Sequence, residues 1–102
     1  MVLYRDETRA AFIRQTIGDD GYVHVFGEAD NESEDEFRAS IRESARTAKR
    51  VIVDLTRCTY IGSQGFAVLA AARSLCDLAI IAPARVKRLV DIVGLSSLIL
   101  DA

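Results

Sequence analysis

The 102-residue sequence contains no tryptophan, one proline, one histidine and two cysteines. No apolar run approaches the roughly 20 residues that a transmembrane helix needs, and the N-terminus lacks the apolar stretch of a signal peptide. The cysteines, Cys58 and Cys76, have neither CxxC spacing nor a neighbouring histidine in sequence, so we expect reduced, packed thiols. These absences predict a cytoplasmic protein without a metal site, a cofactor or direct insertion into a membrane.

Charge is equally moderate. The formal net charge is −2, half of the residues are apolar and 27% are charged, which is ordinary for a soluble globular protein. Such a balance provides no general attraction to nucleic acid or to an anionic membrane. The length predicts one domain spanning residues 1–102, with a folded core from about 12 to 100.

The most informative stretch runs from Arg50 to Ala72. It begins with an apolar, β-branched run, Val51 to Leu55, which predicts a strand buried on both faces. A short apolar pair, Tyr60-Ile61, leads into the turn Gly62-Ser63-Gln64-Gly65, and the Ala- and Leu-rich run from Phe66 to Ala72 predicts a largely buried helix. A serine at such a helix start is expected to cap its free N–H groups.

The flanking elements follow from the same patterns. Strands are predicted over Ala11–Ile17 and Tyr22–Phe26, joined as a hairpin through Gly18–Gly21, and over Leu78–Ile81. A helix from about Ser33 to Ala48 starts with capping-box spacing, Ser33 to Glu36, and the central helix is expected to end near Ser74 or Leu75. Pro83 opens a further helix with Val86, Leu89, Val90 and Val93 on its apolar face; Gly94 ends it, and Leu95 to Leu100 forms a short final turn. Met1 to Arg9 is expected to be a loose start or a partial edge strand.

The resulting order is β-β-α-β-(short β)-α-β-α. Strands that alternate with helices favour a mixed sheet with parallel neighbours. We therefore predict an α/β fold with a mixed β-sheet of about four to five strands and three to four helices packed mainly on one face.

The residue patterns do not favour an enzyme. His24, the single histidine, shares a strand face with Tyr22 and Phe26, so a packed or half-exposed position is expected rather than a catalytic one. The strand–Ser63–helix order is unlike a nucleophile elbow, because Ile61 stands where that motif needs glycine. A nucleotide site at the same helix start lacks a Walker lysine and a G-x-G-x-x-G motif. No catalytic residue is predicted.

Several segments together resemble the STAS domain, the family of bacterial anti-sigma factor antagonists. The resemblance covers about Phe12 to Leu100. It rests on four segments in order: Gly27-Glu28-Ala29-Asp30, Val51 to Thr56, the turn from Ile61 to Leu69, and Val93-Gly94-Leu95. In this family a serine or threonine at the helix-start turn is phosphorylated by a partner kinase, which is also the anti-sigma factor. The resemblance therefore implies a STAS-like fold and a binding protein rather than an enzyme.

Carried over by residue, the resemblance makes Ser63 the phosphoacceptor, Gly65 the glycine that opens the helix and Asp30 the acidic neighbour in the adjacent loop. Two positions depart from the family pattern. Gly62 replaces the aspartate before the acceptor, and Gln64 replaces a frequent second hydroxyl residue. The partner-binding surface is predicted to comprise Glu28, Asp30, Asn31, Gly62, Ser63, Gln64, Gly65 and Phe66.

The implied partners are a serine-kinase anti-sigma factor of the GHKL type, which phosphorylation of Ser63 would release, and a serine phosphatase. The alternative is a STAS interaction or scaffold module that is not phosphorylated. Such a module could be a subunit of a lipid-transport ATPase or a component of a stress-signalling assembly. Monomer and dimer both remain open at this point.

Overall fold

The computed structural model describes residues 10–100, and the predicted loose start at Met1 to Arg9 lies outside them. Its five strands are β1 (Ala11–Ile17), β2 (Asp20–Ala29), β3 (Arg50–Asp54), β4 (Cys58–Ile61) and β5 (Leu78–Ile81). The helices in these residues are α1 (Glu34–Ala45), α2 (Ser63–Ala72) and α3 (Ala84–Ile92). Short 3-10 turns lie at Asn31–Ser33 and Ser96–Leu98.

The strands form one mixed sheet. Its order is β1-β2-β3-β5, with β1 antiparallel to β2, and β3 parallel to both β2 and β5. The predicted hairpin is confirmed, and its turn contains Gly18 at φ 61°, a conformation that favours glycine. The α/β class and the mixed sheet are therefore as the sequence predicts.

The helices share a core with one face of the sheet. On the strands, Val23, Val53 and Ile80 follow one another in register and are fully buried. Side chains of all three helices complete the same apolar cluster: Phe37, Ile41, Val68, Leu69, Val86 and Val90. The opposite face carries Tyr22 and His24, which are only half-buried. The predicted packing of helices mainly on one face is confirmed.

Several element boundaries differ from the sequence prediction. Helix α1 ends at Ala45, before the predicted Ala48, because the chain turns there to enter β3. Helix α2 ends at Ala72 instead of near Ser74 or Leu75, and Pro83 is the N-cap of α3 instead of its first helical residue. Gly94 follows α3 at φ 79°, as a residue beyond a helix end commonly does.

The apolar face of α3 is narrower than its sequence periodicity predicts. Val86 and Val90 are buried, whereas Leu89 and Val93 are 42% and 45% exposed. Because α3 rests on the edge of the core, only the two residues one turn apart reach it. No helix among residues 10–100 combines the length and apolar character that crossing a bilayer requires.

Candidate functional site

Strand β2 positions the site because it pairs in parallel with two different strands along its length. Its first half, Asp20 to His24, pairs with β3, and its last three residues pair with β4. The change occurs at Gly27, where the register shifts and φ is 80°. The register skips Thr59 of β4, and Gly27, opposite this irregularity, has the left-handed conformation that glycine adopts readily. The strand β4 is thereby brought alongside the end of β2, and α2 begins immediately after it.

A backbone hydrogen bond joins the residue that follows β4 to the last residue of β2. The N–H of Gly62 donates to the carbonyl of Ala29 over 3.0 Å. The next residue along each chain segment is Ser63 on one side and Asp30 on the other. The structure therefore brings together the helix-start turn and the acidic loop that the family resemblance implies as neighbours.

Ser63 is the first residue of α2 and its side chain is exposed. The prediction that Ser63 caps the helix is wrong, because Gly62 occupies the N-cap position, with an extended backbone, and provides no side-chain bond. The helix starts one residue earlier than a serine cap would require, since the chain leaves β4 at Gly62. The serine hydroxyl consequently points to solvent beside a helix N-terminus without a side-chain cap.

At position 65 any residue larger than glycine would displace its neighbours. A Cβ placed on it would lie 2.6 Å from Cγ1 of Ile61 and 2.8 Å from the carbonyl oxygen of Ala29. Heavy atoms do not approach so closely without displacement of their neighbours. Gly65 thus permits α2 to pack directly against the end of β2, which holds Ser63 at the sheet edge.

The loop after β2 is closed by reciprocal capping. The carboxylate of Asp30 accepts from the N–H of Glu32 at 3.3 Å, and the hydroxyl of Ser33 accepts from the N–H of Asp30 at 3.1 Å. The predicted capping box of Ser33 and Glu36 is therefore wrong, because Ser33 caps through this earlier turn and gives α1 no side-chain bond. Asp30 forms the cap of the 3-10 turn and fixes the loop next to Ser63.

The predicted partner-binding residues differ in exposure: some lie on the surface, and others are buried beneath it. Asn31, Ser63 and Gln64 are exposed, and Glu28 and Asp30 are half-buried. Gly62, Gly65 and Phe66 are buried, so their burial does not support the prediction that they contact a partner directly. They determine the position of the exposed residues instead.

Tyr60 is a site residue that the sequence reasoning missed. It precedes Gly62 by two positions, is 53% exposed and lies with its ring against the Gly62 backbone. In the sequence it belongs to a short apolar pair, which predicts a buried strand residue. The alternation of Cys58 inward and Thr59 outward along β4 does not continue to Tyr60, so no sequence signal marks its exposure.

A second polar cluster lies at the carboxyl end of β3, on the sheet face away from the core. The Nδ1 of His24 is 2.9 Å from Oδ2 of Asp54, and its Nε2 is 2.9 Å from Oε1 of Gln15. Burial acts to raise the pKa of Asp54, but the hydrogen bonds from Thr56 and His24 hold that pKa below its ordinary value. The prediction of a half-exposed strand histidine is confirmed, and its pairing with Asp54 is additional.

The cysteines are free thiols, as predicted. Burial raises the pKa of the Cys58 thiol and that of the Cys76 thiol, which favours the unreactive protonated form of both. Among residues 10–100 no group of three or more histidine, cysteine or carboxylate side chains is arranged to hold a metal ion.

This arrangement defines a small α/β domain in which a glycine-flanked serine opens a helix at the edge of a mixed sheet. The chain belongs to the STAS domain family: the family model described as "Mlab, STAS domain" matches residues 14–101. No curated protein matches the chain.

Solved structures are similar in fold. An anti-sigma factor antagonist from Mycobacterium paratuberculosis is 18% identical, with a TM-score of 0.83, and the match covers 92% of this chain and 86% of that one. The Bacillus cell fate determinant SpoIIAA in its phosphorylated form is 18% identical, with a TM-score of 0.69, over 90% and 91% of the two chains. The unphosphorylated form of SpoIIAA is 19% identical, with a TM-score of 0.70, over 90% and 88%.

Proposed function

We propose that this protein is an anti-sigma factor antagonist that binds a serine-kinase anti-sigma factor and is released when Ser63 is phosphorylated. The observation that carries the proposal is the exposed position of Ser63 as the first residue of α2. A kinase can reach this hydroxyl without unfolding the chain. The role uses no catalytic residue and no cofactor of this protein, and it places the protein in the cytoplasm with its kinase.

The site can accommodate the modification. A phosphoserine adds about −1.5 to −2 charges and three acceptor oxygens. Helix N-terminal N–H groups and the helix dipole favour an anion, and the first turn of α2 contains no acidic residue. The phosphorylated serine is therefore compatible with the fold of the domain itself.

The same charge acts against a bound partner. Glu28 and Asp30 place two carboxylates at the adjacent end of β2, whereas Arg85 donates to the carbonyl of Cys58 at the start of β4. A partner that binds here is expected to be basic around the contact, and closely packed against Ser63. A phosphate within that contact loses its hydration and is repelled by the carboxylates of Glu28 and Asp30, and these two costs weaken binding.

The structural relatives support the proposal by analogy. The proteins from Mycobacterium paratuberculosis and Rhodobacter sphaeroides are named as anti-sigma factor antagonists. SpoIIAA adopts the fold in both its phosphorylated and its unphosphorylated form, with nearly equal TM-scores to this chain, 0.69 and 0.70. The GHKL type of the kinase, and a phosphatase that restores Ser63, belong to the proposal.

The test is intact-protein mass spectrometry of the chain isolated from its native host, with tryptic peptide mapping across Thr56 to Arg73. We expect a phosphate on Ser63, and fragmentation spectra must distinguish Ser63 from Thr59 and Tyr60 in the same peptide. A Ser63→Ala chain expressed in parallel is the control. If no growth condition yields a phosphate on Ser63, the switch is refuted.

A second function is favoured by two specific observations. The matching family model is described as "Mlab, STAS domain", without reference to sigma factors, and Gly62 provides no carboxylate beside Ser63. We therefore also propose, as the alternative, an interaction module that is not phosphorylated, such as a lipid-transport ATPase subunit or a component of a stress-signalling assembly. Copurification of the tagged chain with an ATP-binding cassette protein would select this alternative; copurification with a serine kinase would reject it.

A further inference from the structure

Tyr60 exposes an aromatic ring directly beside the switch residue. It lies on β4, opposite Glu28 of β2, and 53% of it is exposed. Most aromatic rings in a small domain contribute to the core, and Phe37 and Phe66 do so here. Exposed tyrosines, in contrast, are enriched among the residues that dominate protein–protein binding energy.

The ring of Tyr60 lies close to the position that a side chain at residue 62 would occupy. The backbone of Gly62 has φ −95° and ψ −174°, an extended conformation that any residue adopts. The backbone therefore does not require glycine, unlike that of Gly27 or Gly94, which have positive φ. A Cβ at position 62 would instead lie 3.1 Å from the hydroxyl oxygen of Tyr60 and 3.2 Å from its Cε2.

We propose that Tyr60 is a specificity-determining residue of the partner-binding site, and that its ring borders the space that a side chain at position 62 would occupy. The inference rests on the proposed function, because it assigns a role at the same contact surface. The side of Ser63 nearest to β4 is thus an uncharged aromatic surface with one hydroxyl group. It is bordered by the carboxylate of Glu28 across the strand pair.

This surface defines the chemistry of a matching partner. An aromatic ring with a polar edge is best accommodated by an apolar pocket on a protein surface. The acidic Glu28 next to the ring favours a basic side chain at the rim of that pocket. The partner is accordingly a protein with an apolar pocket and a basic rim, positioned so that it covers Ser63 when the ring is bound.

The first experiment tests the position of the ring without any partner. In the 102-residue chain, NMR should show nuclear Overhauser contacts from the ring protons of Tyr60 to the Hα protons of Gly62. The variant Gly62→Ala should weaken these contacts and shift the Tyr60 ring resonances, while the Tyr22 ring, in the first half of β2 and away from β4, stays unchanged. Absence of the contacts in the wild-type protein would overturn the proposal.

The second experiment tests recognition, with the purified GHKL-type anti-sigma kinase of the host as the probe. Calorimetric titration should show binding weakened about 30-fold or more by Tyr60→Ala, as for a residue of hot-spot strength. Tyr60→Phe should retain most of the affinity because it keeps the ring. Tyr22→Ala is the matched control for loss of a half-exposed tyrosine and should bind as the wild type does.

The outcomes distinguish this inference from the function on which it rests. Equal binding by the wild type and Tyr60→Ala overturns the role of Tyr60 and leaves the proposed function intact. If the wild type itself does not bind the kinase, the proposed function fails, and the recognition role of Tyr60 fails with it. Phosphorylation kinetics add a further criterion: a recognition residue should change KM for the chain more than kcat.

Discussion

The two strands that pair in parallel with β2, β3 and β4, each end in a polar cluster, and the two clusters differ in how many of their polar groups form hydrogen bonds. At the end of β3, the carboxylate of Asp54 accepts from both the N–H and the hydroxyl of Thr56, and His24 bridges to Gln15. At the end of β4, Ser63 is exposed and the N-cap residue of its helix forms no side-chain bond. The first cluster uses its hydrogen-bonding capacity within the fold. The second leaves that capacity available for a partner or a phosphate.

The difference separates residues that stabilise the fold from residues that are available for binding. Internal hydrogen bonds each contribute roughly 1 kcal/mol to stability, so substitution within the β3 cluster should change folding and leave binding alone. An uncapped, exposed helix start contributes little to stability, so substitution of Ser63 should change binding and leave folding alone.

The largest expected effect follows from placing a negative charge at the β4 cluster. Ser63→Glu should weaken binding of the anti-sigma kinase roughly a hundredfold, since an acidic side chain at the contact reproduces part of the charge of a phosphate. Ser63→Ala removes only the hydroxyl and should bind within a few-fold of the wild type. Calorimetric titration of both variants is the measurement, and equal affinities for the two would refute the charge switch.

The next effect distinguishes the two glycines on either side of Ser63. Gly65→Ala should destabilise the domain by about 1–2 kcal/mol, because its Cβ would press on Ile61 and on the backbone of Ala29. Some of the cost is offset by the better helix propensity of alanine. Gly62→Ala displaces only the free edge of an exposed tyrosine and should cost less than half as much. Urea unfolding of the two variants measures the difference, and a larger cost at Gly62 would contradict this packing.

The β3 cluster should respond to acid. The pKa of Asp54 is lower in the folded state than its ordinary value of 3.8, so its ionised form contributes stability above the unfolded-state pKa. That contribution is lost as the pH falls through the folded-state value. Asp54→Asn should cost about 1 kcal/mol at pH 5, because Thr56 and His24 lose a charged acceptor.

The measurement is urea unfolding of wild type and Asp54→Asn at pH 5 and at pH 2.5. The difference between the two proteins should narrow at the lower pH, which lies below the unfolded-state pKa, so that the ionised form of Asp54 contributes less stability there. A difference that stays constant between the two pH values would show that the charge of Asp54 is irrelevant. Binding to the kinase at pH 7 should be the same for both proteins, in contrast to Ser63→Glu.

The contrast also explains what the sequence could and could not predict. The strands over Ala11–Ile17 and Leu78–Ile81 are predicted with their observed bounds, because β-branched and apolar runs between turn residues are local signals. The neighbourhood of Ser63 and Asp30 was available only through the family resemblance. Their proximity depends on the pairing of β2 with β4 after Gly27, and register between distant strands leaves no local signal.

The remaining errors have the same origin. Leu89 and Val93 follow helical periodicity but are exposed, because periodicity identifies a face and does not show how far the core extends beneath it. The position of the N-cap at Gly62 depends on where β4 stops pairing with β2. The hydrogen bond between His24 and Asp54 depends on parallel pairing of strands that are 30 residues apart in sequence.

The smallest expected effect comes from restoring a carboxylate beside Ser63. Gly62→Asp should accelerate phosphorylation by the kinase a few-fold, because the added carboxylate can orient the serine hydroxyl or assist the metal-bound nucleotide. The gain is limited because the new side chain must shift the edge of the Tyr60 ring, whose hydroxyl oxygen lies 3.1 Å from the new Cβ position. The matched comparison is Gly62→Asp in a Tyr60→Ala background, measured as kcat and KM with the same kinase.

If the missing carboxylate limits the reaction, Gly62→Asp raises kcat in both backgrounds. A change confined to KM would instead assign the effect of Gly62→Asp to displacement of the tyrosine. An unchanged rate in both backgrounds would show that this site, unlike the β3 cluster, functions without a carboxylate next to its hydroxyl group.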